Sequence, residues 1–209
     1  MVKRFNKWFF CALLACLPVL ALASGERPDV LVQRISDEVL EIVRNDTQLR
    51  AGNTDEAIRL VEEVVLPHFN FRRMTMLAVG RDWRDASPDQ QQKLMDAFYN
   101  LLVRTYSNAL TQYRDQTIHF KPFRMNEGDR TVRVLSEIRQ SGAQPIEVDY
   151  TLELGSDGWK VFDIAVAGVS LVTNYRSTFA QEIRSGGIDG LIRSLESRAE
   201  QARTQAEAS

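Results

Sequence analysis

His68 and His119 are the only two histidines in the chain, and its two cysteines, Cys11 and Cys16, both lie near the amino terminus. Nucleophilic catalysis needs a serine or thiol within reach of a base, so the supply of such pairs is thin. His68 follows Pro67, which ends a helical stretch, and His119 lies between Ile118 and Phe120, so on a strand it points away from their face. Gly168-Val169-Ser170 lacks the second glycine of a nucleophile elbow. No glycine-rich phosphate loop or spaced metal-ligand cluster is present. Asp149 and Asp163 fall on neighbouring predicted strands, and Asp163 sits amid Val161, Phe162, Ile164 and Val166, where a carboxylate must find hydrogen bonds or a cation. A hydrolase or lyase using Asp163 with His119 competes there with an ion pair or a cap on the Gly168 turn. The expectation is no catalytic residue, no metal and no cofactor.

The elements that position these residues follow from periodicity. Apolar residues at spacings of three and four predict a helix from Pro28 to Arg44 and another from Thr54, as N-cap, to Pro67. A short helical piece through Phe71, Met74 and Leu77 ends at Gly80. Ser87-Pro88-Asp89-Gln90 places a capping serine, a first-turn proline and a capping-box glutamine before a long helix that fades near Asp115. The period then changes to two, giving strands through Ile118 and Phe120, Val132 to Ile138, Val148 to Leu154 and Trp159 to Val166, with turn residues between them. Helix resumes after Gly168, breaks at Gly186-Gly187 and ends in a polar stretch, 196–209, expected to fray. The expected fold is α+β: a curled four-stranded antiparallel sheet packed by N-terminal and C-terminal helices around a deep apolar pocket.

Lys3, Arg4 and Lys7 precede an apolar run from Trp8 to Leu22 that closes in Ala21-Leu22-Ala23, the pattern of a cleaved signal peptide over residues 1–23. A lipoprotein signal ending at Cys16 is the weaker alternative. The remaining residues, 24–209, suit one domain without disulfides, in the periplasm. Losing those three cations leaves 23 basic against 28 acidic residues, a net charge of −5, which argues against nucleic-acid partners.

Several motifs recur together: Phe69-Asn70-Phe71-x-x-Met74, Gly80-x-x-Trp83, the Ser87-Pro88 helix with Tyr106, Val148-Asp149-Tyr150, Gly158-Trp159-Lys160-Val161-Phe162-Asp163, Gly168-Val169-Ser170-Leu171 and Asn174-Tyr175-Arg176-Ser177-x-Phe179. In this order, across nearly the whole mature chain, they resemble the MlaC or toluene-tolerance family. Asn70 departs from an expected aspartate and Ala167 from an expected acid. The resemblance implies a monomeric periplasmic carrier that takes phospholipid as cargo. It would exchange lipid between an outer-membrane lipoprotein complex and an inner-membrane complex driven by an ABC transporter, maintaining outer-membrane lipid asymmetry. Acyl chains would lie in an apolar pocket with the head group near solvent. Phe71, Met74, Leu77, Leu102, Tyr106, Val134, Tyr150, Leu152, Ile164, Val166, Val169, Leu171 and Tyr175 are the candidate acyl-chain contacts, each equally able to be plain core. Arg72 and Arg176 are the head-group candidates. A ligand-free adaptor between envelope complexes is a third reading.

Overall fold

Helix α1 (Pro28–Asn45) starts where Pro28 supplies a preset φ and buries Leu31, Val32, Ile35 and Val43 on one side. The computed structural model describes residues 25–207, so the expected signal peptide and both cysteines lie outside the described residues. Asp46 ends α1 and caps α2 (Thr47–Arg50), its carboxylate accepting from the Gln48 and Leu49 amides. The N-cap of α3 (Thr54–Leu60) is Asn53, whose Oδ1 accepts from the Glu56 amide at 3.2 Å; Thr54, the expected cap, is the first helical residue. The helix then opens into a π turn (Val61–Val65) and a 3-10 turn (Leu66–His68), because Pro67 has no N–H with which to continue an α ladder.

Asn70 caps α4 (Phe71–Val79), and Gly80 ends it at a φ of 73°, which any side chain would resist. Helix α5 (Pro88–Tyr106) opens with both halves of the capping box formed: Ser87 Oγ accepts from the Gln90 amide and Gln90 Oε1 from the Ser87 amide. It stops well short of Asp115. A separate turn, α6 (Asn108–Thr111), follows Ser107, and Leu110 within it and Tyr113 after it pack against Val43, Leu49, Ala57 and Leu60.

Five strands, not four, form one open antiparallel sheet in the order β1 (Thr117–Phe120), β2 (Thr131–Arg139), β3 (Ile146–Gly155), β4 (Gly158–Val166) and β5 (Val169–Ser170). The extra strand is two residues long, below the length at which alternation can be read, and pairs through Val166↔Val169 and Ala165↔Ser170. Its hairpin needs positive φ at both turn residues, Ala167 (49°) and Gly168 (79°).

Helix α7 (Leu171–Glu207) breaks at Gly187 (φ 67°, ψ −175°), as the glycine pair predicts. Its helical backbone continues past residue 196, where the polar stretch begins, to Glu207. Leu191, Leu195 and Ala199 recur every fourth position and bury against the core around Leu94, Phe98 and Leu101, and Arg198 pairs with Glu182 across the break. No described helix is long and apolar enough to cross a membrane.

Strand alternation sends the two sheet faces to different partners. Val132, Val134, Leu152 and Val161 face α1, packing with Leu31, Val32 and Ile35. Phe162, on the opposite face, packs against the helical core of α4, α5 and α7.

Candidate functional site

Between α1 and its face of the sheet the packing is incomplete, leaving a cavity of ≈ 660 Å³. Such a volume falls inside the roughly 300–1,000 Å³ span of small-molecule sites. Its inner wall is built from Val32 and Ile35 of α1, Val65 of the π turn, Phe69, and Val161 and Ile164 of β4. Residues before β1 and in the β2–β3 loop form the outer end. There Gln112, Gln116, Gln140 and Gln144 supply the polar groups, and Gln116 Nε2 donates to Gln140 Oε1 at 3.2 Å. Inside, the Tyr150 hydroxyl lies beside those of Ser36 and Ser136. Burial pushes the Tyr150 pKa up, against the opposing effect of those hydroxyls, so the phenol stays neutral. An apolar hollow with one amide-rich end can accept a hydrocarbon chain; it offers no nucleophile–base pair.

Of the thirteen candidate acyl-chain contacts, Tyr150 and Ile164 line this cavity. Val134 and Leu152, almost wholly buried, pack behind its wall with Val32 and Val161. Phe71, Met74, Leu77, Leu102 and Tyr175 belong to the helical core beyond the sheet, where Phe98 holds Phe71, Tyr175 and Phe179 in edge-on ring contacts. Tyr106 is exposed at the end of α5 beside Tyr175, whose pKa burial pushes up to about 12. Val166 and Val169 are exposed on either side of the β4–β5 turn, and Leu171 is partly buried at the start of α7. The two head-group candidates lie together on the helical side: Arg72 stacks over Trp83 at 5.5 Å, and the Arg176 guanidinium lies against Gly80. Neither lines the cavity.

The chain does not bring Asp163 and His119 into one site. They lie on β4 and β1, three strand spacings or roughly 14 Å apart. Asp163 Oδ1 accepts from the Val172 amide at 3.2 Å, capping α7, and Asp149 faces Arg133 at 3.5 Å. Among the described residues no His, Asp or Glu cluster could hold a metal.

At Asn70 the amide does what an aspartate could not. Its Oδ1 accepts from the Arg73 amide, while Nδ2 donates to Glu153 Oε1 at 2.7 Å. Asn70→Asp would set two carboxylates against each other, and we expect a loss of about 1.5–3 kcal/mol at pH 7 in urea unfolding. Repulsion raises the folded-state pKa of the pair, so the loss should be deepest at neutral pH and shrink as the pH falls into the carboxylate range. A penalty independent of pH would contradict this contact.

The candidate acyl-chain contacts do not include the α1 wall, Val32, Ile35, Val39 and Val43, nor Val65 and Tyr113, all of which line the cavity. The signal of that wall was there as an apolar stripe along α1. A stripe that lines a hollow, however, has the same period as one that fills it.

The sequence model of the MlaC protein family matches residues 33–197. Among curated proteins, the chain is 24% identical over 204 residues to the intermembrane phospholipid transport system binding protein MlaC of Haemophilus influenzae, covering 95% of each. It is 26% identical over 178 residues to the toluene tolerance protein Ttg2D of Pseudomonas putida, covering 85% of this chain and 82% of that one. Among solved structures, a phospholipid-binding protein from Ralstonia solanacearum, in complex with a phospholipid, superposes with a TM-score of 0.81 at 38% identity, over 85% of this chain and 99% of that one. With the family's match running from within α1 into the second arm of α7, the chain belongs to the MlaC family.

Proposed function

We propose that this protein is a periplasmic phospholipid carrier, exported by residues 1–23, which holds acyl chains in the cavity between α1 and the sheet. The observation that carries the reading is that apolar hollow, in a fold shared with a phospholipid-bound relative. Ile164 and Tyr150, with Val32, Ile35, Val39 and Val65, would contact the chains. At about 0.8 kcal/mol per methylene, a diacyl lipid of some thirty methylenes meets a barrier of roughly 24 kcal/mol in open water. An apolar cavity offsets most of that, so loading and release need no chemistry. The donor and acceptor would be an inner-membrane ABC transporter complex and an outer-membrane lipoprotein complex, with the carrier exchanging lipid between them and so maintaining outer-membrane lipid asymmetry.

Native mass spectrometry of protein released from the periplasm, followed by lipid extraction, tests this. Intact phospholipid in near-stoichiometric amount is the expected result. Empty protein would overturn the carrier reading, and lysophospholipid or free fatty acid as the bound species would point to a hydrolase.

A further inference from the structure

A second recess, of ≈ 430 Å³, adjoins the cavity and is lined by Arg44, Arg50, Tyr113 and Arg114. Tyr113 is the shared wall, since it also lines the apolar cavity. Three cations brought together from the end of α1, the end of α2 and the segment after α6 repel one another, so their convergence calls for an anion. Elsewhere Arg27, Arg34 and Arg133 each face a carboxylate. Arg44, Arg50 and Arg114 have no acidic partner within 4.0 Å among the described residues. Asp37 and Glu41 line the groove on the other side of Arg44 without pairing with it.

Two of the three arginines are held by Tyr113. Arg44 Nε donates to Tyr113 Oη at 2.8 Å, with its guanidinium 5.7 Å from the ring centroid, and Arg114 Nη1 donates to the Tyr113 carbonyl at 2.7 Å. Because Tyr113 Oη accepts from Arg44, its own proton is left to donate elsewhere. Each guanidinium keeps further N–H groups for a tetrahedral oxyanion.

We infer that Arg44, Arg50, Arg114 and Tyr113 form a phosphate subsite that takes the head-group phosphate of a lipid whose tails occupy the adjoining cavity. This rests on the carrier reading and adds to it: binding selects for a phosphoryl group, and the rest of the head group stays in solvent. All three arginines are exposed, so each contact is modest and weakened by salt.

The test uses delipidated mature protein incubated with vesicles containing either phosphatidylglycerol or diacylglycerol with identical acyl chains, at low and high salt. Lipid bound to the re-isolated protein is then measured. Wild type should favour phosphatidylglycerol by roughly tenfold at low salt, less at high salt. Arg50→Gln with Arg114→Gln, which spares the Arg44–Tyr113 bond, should bring the ratio close to one while leaving diacylglycerol uptake unchanged. A double variant that keeps the wild-type ratio would overturn the subsite and leave the carrier reading standing. Wild-type protein that takes up neither lipid would overturn the carrier reading itself. Inorganic phosphate that binds the lipid-free protein through these arginines, with no lipid preference in wild type, would assign the recess to a free anion and overturn the head-group assignment.

Discussion

Protein carrying Ile164→Glu is expected to fold but to carry no bound phospholipid. Ile164 is a partly buried residue of β4 on the cavity wall, paired across the sheet with Tyr150. In the empty protein a glutamate there can keep water around it, because the cavity opens at its glutamine-lined end. A hydrocarbon chain would have to displace that water and leave an unpaired carboxylate in an apolar site, at a cost of several kcal/mol. Each 1.4 kcal/mol is a factor of ten, so lipid occupancy should fall by at least roughly 100-fold. Ile164→Leu, which keeps the wall apolar, should retain lipid. Native mass spectra paired with circular dichroism separate the outcomes: a folded Glu variant that still carries stoichiometric phospholipid would remove this cavity as the cargo site. Leu152→Asp makes the contrast. Leu152 is fully buried behind the wall, where a carboxylate has no access to water, so that change should unfold the protein.

Phe98→Ala should cost much of the protein's stability while leaving the cavity intact. Phe98 is fully buried in the helical core, with ring centroids of Tyr175 at 5.1 Å, Phe179 at 5.2 Å and Phe71 at 6.2 Å around it. Removing the ring leaves a void that its neighbours cannot close, costing about 3–5 kcal/mol. For a chain of this size that is a fall in melting temperature of roughly 6–20 °C. Since this core lies on the far side of the sheet from the hollow, the molecules that remain folded should bind lipid in the same proportion as wild type. A matched loss of lipid per folded molecule would instead show that the helical core forms part of the site.

The contrast between these substitutions marks how far the residues alone could be read. The four strands β1 to β4 and their antiparallel order were legible, because alternation at Val132, Val134 and Ser136 and turn residues such as Gly155-Ser156-Asp157-Gly158 act over a few residues. The capping box at Ser87 and the break at Gly187 were local in the same sense. Strand β5 escaped notice because two residues carry no period. The helix after Gly187 was legible from Ile188, while among the described residues past 196 only Ala199 is buried and polar residues dominate, so local pattern there marks no packed face.

Sequence by itself therefore determined the class of fold, the family resemblance and the absence of any obvious catalytic pair, since each rests on residue types at short spacing. Which apolar side chains line the hollow was decided only by the tertiary structure. Phe71, Met74 and Tyr175 read as apolar positions just as Ile164 does, yet they pack on the helical side of the sheet. Periodicity shows which side chains turn away from water, not whether what they turn toward is another side chain or an empty volume. The meeting of Arg44, Arg50 and Arg114 at Tyr113 likewise depends on how α1, α2 and the segment after α6 converge, a long-range outcome of packing that no local pattern records.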